Sequence, residues 1–101
     1  MNTTEERARA APTVRRILAA IEGEHAIRGE WPWVAWLSKD VAETVRDNDG
    51  RLIGGVGIDA DRATSGVGRI VHVREDAGLP PDTIVFTYEN VKHPIPPTQR
   101  A

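Results

Sequence analysis

Four side chains between Asp59 and Leu79 have the chemistry of base readers: Arg62, Thr64, Ser65 and Arg69. An arginine fork matches guanine O6 and N7 in the major groove, and hydroxyl groups donate to or accept from either base. Arg15, Arg16, Lys39 and Arg74 are long cations suited to phosphate oxygens, contacts that set register without reading sequence. Trp31, Trp33 and Trp36 are a second concentration, since all three tryptophans of the chain fall within six residues. Such rings either plug a small core or form the anchor of a partner-binding patch. Other chemistries fall away. His25, His72 and His93 are scattered without metal-ligand spacing. The chain has no cysteine, which removes disulfides and thiolate ligands. Asp47-Asn48-Asp49-Gly50 fails as a calcium loop, because Gly50 at the sixth position would make Val45 the first ligand and Val56 the closing glutamate. The glycines from Gly54 to Gly57 lack the Lys-Ser/Thr that follows a phosphate loop. Ser38 and Ser65 have no evident His–Asp partners, and no carboxylate pair is marked out. The expectation is a protein that is not an enzyme and holds no cofactor or metal.

The bulk numbers agree with a small binding domain. At 101 residues, with a hydrophobic fraction of 40% and a charged fraction of 28%, the chain has the make-up of one globular domain. No apolar run reaches the roughly 20 residues that span a bilayer. The opening Met-Asn-Thr-Thr-Glu-Glu-Arg carries acids and no apolar segment, so it is not expected to be a signal peptide. A cytoplasmic location is the expectation. The net charge of −2 disfavours a strongly basic nucleic-acid binder, but the charge is uneven. Four arginines stand against Asp59 and Asp61 between Arg51 and Arg74, and every charge from Glu75 to Glu89 is acidic. Eleven of the thirteen cations are arginine, a bias of high-GC coding such as that of an actinobacterium or its phage.

The elements that must hold these side chains follow from periodicity. Ala60, Ala63, Val67, Ile70 and Val71 recur at helical spacing, with the arginines off that face. Asp59 is a fitting N-cap and Gly78 a fitting stop. The spacing predicts a helix over about 59–77. A strand competes over residues 69–73, where Ile70, Val71 and Val73 are β-branched and Gly66 and Gly68 weaken a helix. Val14, Ile17, Leu18 and Ile21 form the clearest helical stripe, starting at Pro12 and ending between residues 22 and 27. Pro32 is read as the start of a helical turn carrying Trp33, Trp36 and Leu37 on one face. Ser38 caps a short helix to about Arg46. Thr83 to Asn90 is the strongest strand, with Ile84, Phe86 and Tyr88 on one side and Val85, Thr87 and Glu89 on the other. The fold class expected is α+β, a small single domain of three helices with a short β-sheet or wing. Residues 1–11 are read as a flexible arm, 12–91 as the domain and 92–101 as a Pro-rich flexible tail.

Two stretches carry a family resemblance. Leu37-Ser38-Lys39-Asp40-Val41-Ala42-Glu43 is similar to the second helix of winged helix-turn-helix proteins. Arg74-Glu75-Asp76-Ala77-Gly78-Leu79 resembles the close of their recognition helix before the wing. The resemblance covers about residues 13–90 and departs at an insertion over 47–58, where that family has a turn of three or four residues. It implies a transcription or phage-type regulator that binds double-stranded DNA, with a homodimer compatible. Arg62, Thr64, Ser65 and Arg69 would then touch bases, and Arg15, Arg16, Lys39 and Arg74 phosphates. The alternative is a non-enzymatic protein–protein interaction module, working through the Trp31–Trp36 cluster or the acidic stretch 75–89.

Overall fold

A computed structural model describes residues 3–58 and 69–100. Helix α1 spans Thr3–Arg28 and passes through Pro12. Proline lacks the N–H that would bond four residues back, so the helix is weakest there. Its core side is the stripe read from the sequence. Ile17 and Ile21 are fully buried, and Ala10, Val14 and Leu18 pack partly against the core. The helix stops at Gly29, whose φ of +77° a residue with a Cβ would adopt at a cost. The Gly29 N–H closes the last turn on the His25 carbonyl at 2.9 Å.

Strand β1 (Val34–Leu37) follows, then helix α2 (Lys39–Glu43), strand β2 (Gly55–Ile58), strand β3 (Arg69–Glu75) and strand β4 (Ile84–Thr87). Pro97–Gln99 forms a short 3-10 turn. The sheet order is β2-β3-β1-β4. β1 runs parallel to β3, with Val34 opposite His72 and Leu37 opposite Glu75. β4 is antiparallel to β1, and β2 is antiparallel to β3. The helices cover one face. Ala35, Leu37, Val56, Ile58, Val71 and Val73 point into that layer with Ile17, Ile21, Val41, Ala42 and Val45.

This is an α+β domain, but not the expected one. Its described residues hold two α-helices and a four-stranded mixed sheet, not three helices with a wing. Two misread stretches account for the difference. Residues 69–75, expected at the end of a recognition helix, are the strand between β2 and β1. Val71 and Val73 are buried while Ile70 is exposed, a period of two that stiff β-branched side chains suit well. Residues 34–37, expected as helical, are β1, buried on both faces. A strand walled in on both sides shows no alternation, so its short apolar run does not reveal its type. β4 is the strand foreseen, with Ile84 and Phe86 on the core side. Its neighbour in the sheet is β1. α2 occupies the place where Ser38 was expected to cap. The Ser38 hydroxyl instead donates to Asp40 at 2.7 Å and leaves the helix end uncapped by its side chain.

Candidate functional site

The residues singled out for DNA do not form one surface among the described residues. Arg62, Thr64 and Ser65 lie outside those residues. Arg69 opens β3, opposite Ile58. Arg15 is exposed on α1 and Lys39 is exposed at the start of α2. Arg16 is engaged, donating to the Asp82 carboxylate at 2.5 Å and to its carbonyl at 3.2 Å. Arg74 alternates with the buried Val73, so it stands on the sheet face away from the helices.

The tryptophans are likewise dispersed. Trp31 is half-buried and stacks on His25, ring centroids 3.7 Å apart. Trp33 is half-buried on the far face and tilts against His72. Trp36 is only 3% exposed, and its indole N–H donates to the Thr87 hydroxyl at 2.9 Å. The acidic stretch is occupied internally. Glu75 pairs with Arg46, Asp82 with Arg16 and Glu89 with Arg100. The Arg46 guanidinium is held above its usual pKa, first by the Glu75 hydrogen bond. Asp40 is held below the carboxylate range, first by the Ser38 hydroxyl and further by the Asp82 N–H.

Asp76 is the one buried carboxylate of that stretch, 2% exposed. It accepts from the Thr98 hydroxyl, from the Thr98 N–H at 3.0 Å and from the Gly78 N–H at 3.1 Å. Burial alone would raise its pKa; the three hydrogen bonds outweigh that and hold the group below its ordinary value. Arg100 adds a second tie, donating to Glu89 and to the Ile95 carbonyl. Within 92–101, read from sequence as a flexible tail, Thr98 is thus bonded to Asp76 and Arg100 to Glu89.

An open groove lies on the helix side beside α1. The second half of α1 lends Ala20, Gly23, Glu24, Ile27 and Arg28, and the β4 side lends Ile84, Val85, Phe86 and Tyr88. Its volume is about 560 Å³. Ile27 is 86% exposed beside it, an unusual place for a large aliphatic on a helix that buries its other isoleucines. The groove's polar groups serve one another. The Tyr88 hydroxyl donates to Glu24, and the Arg28 guanidinium lies 4.0 Å from the Tyr88 ring centre. Burial first, then Glu24, pushes the Tyr88 phenol up to about 12.

The groove runs along a sheet edge. β4 is one of the two edge strands, with β2 at the other side, and no described strand pairs with its outer side. Ser38 N–H donates to the Thr83 carbonyl at 3.0 Å and Trp33 N–H to that of Thr87 at 2.9 Å. Antiparallel ladders alternate, so the backbone groups of Thr83, Val85 and Thr87 turn to β1 while those of Ile84 and Phe86 turn outward. The alternating pattern of residues 83–90 signalled the strand. Nothing local signalled an edge, because that depends on which strand fails to arrive.

No family model, curated protein or solved structure matches this chain. Among the described residues, no group of three or more His, Asp or Glu could hold a metal, and no helix is long and apolar enough to cross a membrane.

Proposed function

We propose that this chain is a non-enzymatic protein-interaction domain that receives an extended segment of a partner protein along β4. The observation that carries the reading is the juxtaposition of outward-facing backbone groups at Ile84 and Phe86 with an apolar groove beside them. Strand addition works this way: main-chain hydrogen bonds give affinity, and a pocket for every second side chain gives specificity. Exposed edges invite pairing, and proteins blunt them with proline, bulges or charge. Ile84-Val85-Phe86-Thr87 carries neither proline nor charge. The groove supports a segment with apolar residues at alternate positions, and Glu24 and Arg28 at its rim would orient charged flanks. The duplex-DNA reading is weakened by β3, since its reading helix was to run through residues 69–73.

Selection of peptides from a random library on the whole chain, followed by amide hydrogen exchange, tests this. The selected peptides are expected to alternate apolar residues and to slow exchange at Ile84 and Phe86. Ile27→Asp, at a residue that touches little, is expected to weaken them at least tenfold without changing the melting temperature. Slow exchange at Ile84 and Phe86 in the free chain, or protection confined to another surface, refutes the proposal.

A further inference from the structure

On the opposite face of the sheet lies a small cleft of different character. β3 contributes His72 and Arg74, the chain entering and following β1 contributes Trp33 and Val34, and the segment after β4 contributes Val91, Lys92 and Pro94. Its volume is about 100 Å³. That is roughly three times the space of one water in the liquid, near the size of a single flat ring. Val34 is fully buried and forms the floor. The Trp33 and His72 rings approach to 4.7 Å at 55° and are only half-buried, so an aromatic surface stays open to solvent.

The charge of this cleft is out of keeping with the rest of the chain. Acids outnumber Lys and Arg fifteen to thirteen, and yet no carboxylate lines it. Elsewhere Arg16 pairs with Asp82, Arg28 with Glu30, Arg46 with Glu43 and Glu75, and Arg100 with Glu89, while among the described residues Arg15, Lys39 and Arg51 stand unpaired on other surfaces and away from this cleft. Arg74 and Lys92 form no ion pair among the described residues, and both are exposed. Arg74 spends one N–H on the Val73 carbonyl at 3.0 Å, which steadies the side chain and leaves its other donors available. Lys92 is held opposite by the tail, which Asp76 ties at Thr98 and Glu89 ties at Arg100. The proline-rich segment continues directly from β4 and is fastened at its far end, which makes it a wall that need not be ordered by the ligand.

We infer that this cleft binds a nucleotide unit, with the base against Trp33 and His72 and the phosphate between Arg74 and Lys92. Single strands are recognised by this combination of an aromatic platform and a nearby cationic track, since every base has a face to stack. Phosphate alone would use the cations and leave the ring surface idle; an apolar ring alone would leave the two charges idle. The same chemistry could arrive as a single-stranded oligonucleotide or as a free mononucleotide. The site is independent of the β4 groove, which opens on the other side of the sheet.

The test uses the whole chain at 50 mM salt, with fluorescein-labelled oligothymidylate of twelve residues followed by anisotropy. Thymidine monophosphate and inorganic phosphate are followed by tryptophan quenching. The oligonucleotide is expected to bind, and Arg74→Gln and Lys92→Gln are each expected to weaken it at least fivefold with unchanged melting temperature. Each is also expected to lower the slope of log affinity against log salt by about 0.7, the loss of one phosphate contact to a single strand. Trp33→Leu is expected to remove the quenching. Mononucleotide binding as tight as the oligomer, with the same response to the variants, assigns the site to the free nucleotide. Three results overturn the inference: no binding of either, binding that ignores both cation variants, or inorganic phosphate competing as well as the nucleotide does.

Discussion

Replacing Asp76 with alanine removes the acceptor for three donors at once. Hydrogen bonds to a charged group each contribute about 1.5–3 kcal/mol, and a buried donor left unpaired costs about 1–3 kcal/mol. The full sum overstates the loss here. Thr98 and Gly78 are themselves exposed, so their N–H groups recover water, and the desolvation of the carboxylate is also relieved. A net loss of about 2 kcal/mol follows, which in a domain of this size lowers the melting temperature by about 8–16 °C. Asp76→Asn keeps the shape without the charge and is expected to lose about half as much. The carboxyl pKa is depressed in the folded chain. Its stabilisation is therefore present above the unfolded value of about 3.9 and is lost as the pH falls through the folded value. Thermal unfolding followed by circular dichroism should show the gap between wild type and Asp76→Asn in full at pH 7 and closing below about pH 4. Equal melting temperatures at pH 7, or a gap that persists undiminished in acid, would refute the latch. Oligothymidylate affinity should fall with the latch, because Lys92 rides on the segment it holds.

Ile17→Ala, at a residue with no exposed surface, is expected to cost about 2–5 kcal/mol in urea unfolding, whereas Ile27→Ala should stay within about 0.5 kcal/mol. A Cβ at Gly55 would stand 2.6 Å from Ile70 Cγ2 and 3.1 Å from the Val71 carbonyl oxygen. Gly55→Ala should therefore cost about 1–3 kcal/mol by the same measurement, while Gly54→Ala meets nothing within 4 Å and should cost nothing by crowding. Tyr88 is the one tyrosine of the chain, so tyrosinate absorbance reports it alone, with an expected midpoint of about 12. Because that pKa is raised on folding, its contribution to stability is intact below about pH 10 and is lost as the pH climbs through the folded value. Glu24→Gln should move the midpoint down; a midpoint unchanged by that variant would contradict the hydrogen bond.

What could be read along the chain was local. The stripe of Val14, Ile17, Leu18 and Ile21 declares a helix, and the alternation of Ile84 and Phe86 with Val85 and Thr87 declares a strand, because each pattern repeats with the period of its own backbone. The candidate site was legible only in pieces. Arg74 stood out as a phosphate contact and Trp33 as part of a patch, but Lys92 and His72 carried no such signal. Their meeting depends on β1 and β3 lying side by side, with Val34 opposite His72. Trp33–Leu37 and Arg69–Glu75 were misread for the same reason: each is a strand chiefly because the other is beside it. The ion pairs follow the same rule, since Arg16 finds Asp82 across 66 positions and Arg46 finds Glu75 across 29. Period is a property of a segment and is written in its residues, whereas a sheet edge, a parallel neighbour or an unneutralised arginine is a property of which distant segments pack together, and only the folded chain settles that.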